Sequence, residues 1–380
     1  MKIYLFYHSV ISDWNHGNAH FLRGIITSLQ LKGHSVRVYE PQNGWSLKNL
    51  VQQEGLKAYD QFQAYYPFHD SVFYNEEKFA PEKIIADADM VIVHEWTNPQ
   101  VIKKIGDYKA INDHFTLLFH DTHHRMISDR ENMSNLSLKD YDGILAFGDS
   151  LKSLYVESGF TKPVWTWHEA ADDHVFYPRD SETKEGDLVW IGNWGEDERT
   201  EELTEFIIEP MRKLGIKASF YGVRYPDHAI ELLEKANIQY KGWLPNFKVP
   251  EIFSKYKVTV HVPRRPYVKM LPGIPTIRPF EALACGIPLI SSLWTDSEHL
   301  FTPGKDYLEA ANGKEMEKQL ERVLSDETLS QSLSKHGLNT IRQKHTCNHR
   351  VNELLGIVNT IEKYKQKANT NLLEITSKLL

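Results

Sequence analysis

Residues 275–292 read PTIRPFEALACGIPLISS. Ile277, Phe280, Leu283 and Ala284 recur on one helical face. Gly286 suits the position after the last helical turn, and Pro288 bars the helix from continuing. IPLISS is then a short apolar strand, of the kind that lies in a parallel sheet covered on both faces. A helix running into a buried strand is the unit of an α/β fold. Arg278 and Glu281, three residues apart near the helix start, serve no apolar face and call for a separate reason.

The same unit recurs outward from this stretch. Upstream lie the apolar strands KIYLFYHSV, HSVRVYEP, ADMVIVHEW, FTLLFHDTHHR and YDGILAFG, alternating with helical patterns such as AHFLRGIITSLQLKG. Residues 44–85 read as helical and rich in aromatics. After the polar stretch YPRDSETKEGD, residues 177–187, the pattern restarts with LVWIG, KASFYG, IQYKGW and KVTVHVP. The chain of 380 residues is too long for one ordinary core. The expected architecture is therefore two Rossmann-like, doubly wound parallel-sheet domains facing each other across a cleft. The first spans residues 1–176, the second 181–345, and terminal helices over 346–380 cross back onto the first.

Composition narrows the function. A content of 41% hydrophobic and 25% charged residues is that of a globular protein. A net charge of −7 argues against bulk electrostatic binding to nucleic acid. Cys285 and Cys347 are too few for a disulfide framework or a four-cysteine zinc site. No signal peptide or transmembrane run is read, and a cytoplasmic location is expected.

In doubly wound sheets ligands bind beyond the carboxyl ends of the strands. In DWNHGNAH (13–20), Gly17 and Asn18 lead into a helix N-terminus, either a plain turn or a contact for phosphate or sugar. The absence of G-x-G-x-x-G disfavours a nicotinamide cofactor. HEW (94–96) and HDTHHR (120–125) bring His94, Glu95, His120, Asp121, His123, His124 and Arg125 to one rim. Of these, His120 and Asp121 are the candidates for acid–base or hydroxyl-orienting roles, while His123 and His124 read equally as solvated loop histidines. WIGNWGEDER (190–199) offers Gly192 and Gly195, which permit a tight turn with close backbone approach to a ligand, Asn193 as a donor-binding candidate, and Arg199 as either a diphosphate clamp or a partner of Glu196, Asp197 or Glu198. The proline-stiffened loop over 261–281 carries Arg264, Arg265, Lys269 and Arg278, a charge bias suited to an anionic ligand. HTCNHR (345–350) has spacing that spreads its side chains around a helix, and no metal site is expected.

Taken together these motifs resemble the nucleotide-sugar-dependent glycosyltransferases of the GT-B fold, in particular the branch of CgeB-like spore-maturation proteins. RPFEALACGIPLIS resembles that family's EAxAxGxPV donor-site helix, and HEAADDHVFYP (168–178) its NGVDxxxFxP phrase. WIGNWGEDER resembles the phosphate loop of the donor domain, and HDTHHR the His-Asp loop of the acceptor domain. The resemblance implies a transferase that binds a nucleotide-diphosphate sugar as co-substrate, retaining and without metal or other cofactor. It implies that Glu281 accepts hydrogen bonds from ribose hydroxyls and that Arg278 meets phosphate or orients Glu281. Where many relatives carry a second glutamate this chain has Gly273, which leaves the sugar contact to backbone amides, to Thr276 or to nothing. His94, Glu95 and His123 fall on the acceptor side. The acceptor itself is open between glycan, lipid, protein and the base of DNA. A sugar epimerase and a non-catalytic nucleotide-sugar-binding protein are the other readings.

Overall fold

The computed structural model describes residues 1–181 and 183–379, with side chains for all of these except Glu196 and residues 368–379. Glu182, in the expected linker, and Leu380, in the expected terminal helices, lie outside the described residues. The first sheet contains β1 (Lys2–Phe6), β2 (Ser35–Pro41), β3 (Ser71–Tyr74), β4 (Met90–His94), β5 (Thr116–Asp121), β6 (Gly143–Ala146) and β7 (Val164–Thr166). The second contains β8 (Leu188–Ile191), β9 (Ala218–Tyr221), β10 (Gln239–Tyr240), β11 (Val258–His261), β12 (Leu289–Ser292) and β13 (Leu308–Ala310).

Every strand pair is parallel, in the orders β3-β2-β1-β4-β5-β6-β7 and β10-β9-β8-β11-β12-β13. Each sheet reverses its winding once, between β1 and β4 and between β8 and β11, and a doubly wound sheet opens its ligand crevice at that point. The central strands MVIVH, LVWI and VTVH are buried along their whole length, because helices cover both faces. β3, β7 and β13 are short edge or near-edge strands of mixed polarity, which is why no apolar run announces them.

Two local features depart from the pattern read off the chain. The basic segment after β11 is not an open loop, since Arg265–Met270 coil into a short helix that carries Pro266 within its first turn. The helical segment over 200–214 is interrupted by a π turn at Thr204–Ile208 that leads into Pro210, whose ring is poorly tolerated inside a regular helix.

The last helix, Cys347–Leu379, lies on the first sheet's side. Cys347, Val351, Leu354, Val358 and Ile361 share a buried cluster with Phe21, Leu22 and Ile25 of the Ala19–Leu31 helix. Gly24 permits this approach, because a Cβ there would stand 2.4 Å from the Cys347 sulfur. Lys365 then pairs with Asp113 at 2.7 Å and Asp142 at 3.1 Å.

Two polar nodes hold the halves together. Asp13, already paired with Arg23 at 3.0 Å, accepts from the Trp243 indole and the Asn246 amide, each at 3.0 Å. Glu298 accepts from the Asp149 amide at the start of the Asp149–Glu157 helix and stands 2.9 Å from His168 Nε2. A hydrogen bond to a charged group contributes roughly 1.5–3 kcal/mol, whereas an exposed ion pair contributes under about 1 kcal/mol. Glu298→Ala should therefore lower the urea midpoint markedly. Glu317→Ala, which removes the more exposed pair with Lys213, should leave it nearly unchanged. Equal effects of the two variants would remove Glu298 as a fastening point.

Candidate nucleotide-sugar cleft

Between the carboxyl edges of the two sheets lies a cleft of about 590 Å³. The loops after β1, β4 and β5 form one wall and those after β8, β9, β10 and β11 the other. Of the residues singled out in the sequence, Gly17, Asn18, His123, Gly192, Asn193, Arg199, Arg264, Thr276 and Arg278 all line it.

The turn after β8 is built by close backbone contact. Gly222, at φ +154°, has no room for a Cβ, which would stand 2.2 Å from the Gly192 carbonyl oxygen. Asn193 accepts from the Val223 amide at 2.9 Å and donates to Asn15 of the first domain at 2.6 Å, so its amide bridges the cleft. Arg199 donates to the carbonyls of Trp194 at 3.2 Å, Val262 at 3.1 Å and Asn193. Among the described residues no carboxylate pairs with it, and Glu198 goes to Arg264 at 2.9 Å instead. Burial first, then the charge of Arg264, draws its guanidinium below the usual arginine range, yet it stays protonated at neutral pH. Three of its five N–H groups are used on carbonyls, which leaves two for a ligand.

Thr276 sits where the Ile277–Ala284 helix begins, at φ +62°, a costly conformation for a β-branched residue. The strained residue lies on the cleft surface beside Arg278.

Other expected residues stand elsewhere. Glu281, expected to meet ribose, is wholly buried and does not line the cleft. Its carboxylate accepts from Asn246 Nδ2 at 2.7 Å and from Arg278, and His20 Nδ1 stands 3.4 Å away. His20 accepts the Asp172 amide on Nε2 at 2.8 Å, which leaves its proton on Nδ1, facing Glu281. Burial raises the Glu281 pKa, with Arg278 opposing. Of the two roles considered for Arg278, the pairing with Glu281 is thus present.

His120 and Asp121 do not line the cleft either, because β5 runs to Asp121 and keeps both inside the sheet. His120 packs edge-on against Trp167, and Asp121 accepts from Tyr155 at 2.6 Å and from the His123 amide at 3.0 Å. The residues that reach the cleft from this strand are Thr122, His123 and His124. His94 is likewise buried, within 3.1 Å of the Thr122 hydroxyl, and Glu95 is buried against Arg125 at 3.4 Å. The helix over 265–270 puts Arg265 and Lys269 on a common side opposite Tyr267. Tyr267 faces the cleft, Arg265 stands 2.7 Å from Glu202, and Lys269 is exposed. Gly273, at φ +92°, packs against Glu298, whose Oε1 would lie 2.6 Å from an added Cβ, and it takes no part in the lining.

One lining residue, within HEAADDHVFYP, was not singled out as a site residue from the sequence. Glu169, on the segment after β7, is 3% exposed, and its Oε1 has no hydrogen-bond partner. Burial raises its pKa to about 8, with Glu281 adding and Arg278 opposing, so at neutral pH it is a carboxylic acid with one O–H to donate. Among the described residues no group of three or more His, Cys, Asp or Glu side chains is placed to hold a metal ion. No described helix is long and apolar enough to cross a membrane.

Residues 199–356 match a family model described as glycosyl transferase-like. The chain superposes on the sucrose-phosphate synthase (tll1590) of Thermosynechococcus elongatus with a TM-score of 0.65 and 14% identity, over 96% of this chain and 100% of that one. It superposes on Anabaena Alr3699/HepE in complex with UDP and glucose with a TM-score of 0.67 and 11% identity, over 95% and 100%.

The fold is GT-B.

An α-glucosyltransferase in complex with UDP and a 13-mer DNA containing an HMU base gives a TM-score of 0.66 at 15% identity, over 94% of this chain and 99% of that one. At these identities the likeness is one of fold. No curated protein matches the chain. The residues that match the family model include Arg199, Arg264, Arg278 and Glu281.

Because Glu281 is buried behind the cleft wall and accepts from Asn246 and Arg278, Glu281→Ala should cost stability, since hydrogen bonds to a buried charged group contribute roughly 1.5–3 kcal/mol. The urea midpoint checks this, and an unchanged midpoint would remove Glu281 as a structural member.

Proposed function

We propose that this protein transfers a sugar from a nucleotide-diphosphate sugar to an acceptor hydroxyl in the cleft. The observation that carries the reading is the convergence of Arg199, Arg264 and Arg278 on one wall of a cleft whose floor is the tight Gly192–Asn193 turn. A diphosphate leaving group develops negative charge, and preorganised donors stabilise that charge in a site shielded from water. Arg199 supplies two N–H groups not taken by protein carbonyls, and Arg278 is held in place by Glu281. Transfer is metal-independent and retaining in this reading, and the motifs of the second domain favour the CgeB-like branch.

The transferred sugar lies towards Glu169. No carboxylate fits at Gly273, and Asp13 and Glu198 are engaged with Arg23 and Arg264. Glu169 is the lining carboxyl with an unpartnered oxygen, and it presents a donor and an acceptor to sugar hydroxyls.

A thermal-shift screen of nucleotide sugars tests the reading. A ligand at 100 times its Kd adds about 2.7 kcal/mol of stability. The shift should be seen with at least one nucleoside diphosphate sugar, should be lost in Arg199→Ala, and turnover of that donor should survive EDTA. A binder with no turnover over an acceptor panel, or turnover restored only by a divalent ion, would overturn the corresponding part.

Glu169 gives a pH test. Its pKa is raised, so the neutral acid persists to about pH 8 and ionises above it. The titratable groups whose charges act on it or on which its charge acts are Glu281 and Arg278 on the Ile277–Ala284 helix, Tyr267 on the Arg265–Met270 helix, and Cys347 at the start of the last helix. In the wild type kcat/KM should fall as pH rises through about 8. Glu169→Gln, which keeps one donor and one acceptor, should be flat over that range and more active than Glu169→Ala. Identical profiles in the wild type and the glutamine variant would exclude Glu169 from the sugar site.

A further inference from the structure

The two walls of the cleft differ in charge. Every lysine or arginine that lines it belongs to the second domain: Arg199, Arg224, Arg264 and Arg278. The first-domain wall is aromatic and imidazole-rich, and among the described residues it contributes no lysine or arginine. Burial holds His8, His16, His123 and His124 below the ordinary imidazole range, which disfavours the charged form of each.

On this wall two tryptophans remain open. Trp45 is 38% and Trp96 is 36% exposed, and both line the cleft. Each is backed on one side. Trp45 stacks on His8 with ring centroids 4.6 Å apart, and the Arg125 guanidinium covers Trp96 at 4.6 Å. Arg125 is itself held by Glu95 and by Asp129 at 2.8 Å, so Trp96 is fixed from behind. His8 lies between them, 6.5 Å from Trp96, and is 4% exposed. His8 Nε2 and His123 Nδ1 are buried polar atoms with no partner in the protein. A buried polar atom left unpaired is costly unless a ligand or water completes it.

We propose that this wall is an acceptor subsite for a neutral glycoside, with pyranose rings laid on Trp45 and Trp96 and their hydroxyls hydrogen-bonded to His8 and His123. The electron-rich face of an indole attracts the weakly positive C–H face of a sugar ring, and this contact needs no charge on either partner. A duplex acceptor makes different demands. Its affinity comes chiefly from lysine and arginine contacts to phosphate, which this wall does not offer. The inference rests on the transferase reading above, and it selects the acceptor within that reading.

The test uses the full-length protein and whichever nucleotide sugar the screen identifies. Transfer is measured to neutral methyl glycosides and oligosaccharides, and to a duplex carrying a hydroxymethylated base. Donor hydrolysis and the affinity for that donor's nucleoside diphosphate are followed in parallel. A neutral glycoside should serve as acceptor. Trp45→Ala and Trp96→Ala should each raise its KM tenfold or more, with donor hydrolysis and nucleoside diphosphate affinity unchanged, and Trp45→Phe should restore part of the loss. Unchanged acceptor KM in both alanine variants, or preference for the duplex, overturns the subsite. Donor hydrolysis that no neutral glycoside diverts into transfer also overturns it while leaving the transferase reading intact. If no nucleotide sugar binds, both fall together.

Discussion

The Glu281 carboxylate is the group on which the arrangement of the cleft depends. A buried carboxylate is tolerated only when partners replace its lost hydration. Here those partners are Arg278 in its own helix and Asn246 from the segment after β10, while His20 of the first domain packs 3.4 Å away without a hydrogen bond. Asn246 also gives its amide to Asp13, and Asp13 is held by Arg23. A continuous polar chain thus runs beneath the cleft from the first sheet's leading helix to the Ile277–Ala284 helix. Through it the registration of the two domains and the placement of Arg278 become one structural problem.

Breaking such a chain at one member leaves the others buried and unpaired, which is the main cost of removing a charge from an interior. Glu281 is therefore better understood as a residue that positions Arg278 than as one that meets the ligand. The aromatic packing nearby has the same character. Arg23 lies over Phe62, Tyr66 and Phe247, so the side chain that anchors Asp13 is itself clamped by rings from both domains.

The division of charge follows from where the basic residues fall. Arg199, Arg264 and Arg278 come from strand ends and a helix start of the second sheet, whereas the first sheet's carboxyl edge carries histidines, asparagines and tryptophans. The cleft is thus lined by arginines on the second domain's side only, and by rings and amides on the first domain's side. Glu169 stands between these regions with an acid proton at neutral pH.

The doubly wound α/β class was legible because fully buried parallel strands must be written as apolar runs, as in MVIVH and LVWI. The carboxyl-edge rule singled out Gly192, Asn193, Arg199, Arg264 and Arg278, the resemblance added Thr276, and all six line the cleft. Which neighbours of these residues fail to reach it was decided by local geometry that no spacing reveals. An added helical turn rotates Arg265 and Lys269 away, and β5 keeps His120 and Asp121 within the sheet. Trp45 gave no signal in its segment, and Trp96 and Glu169 lay within HEW and HEAADDHVFYP without being distinguished from their neighbours there. Periodicity records which side of an element is buried, but a cleft between two domains is made by the surfaces that remain, and only their packing brings residues 45, 96, 169 and 278 to one cavity.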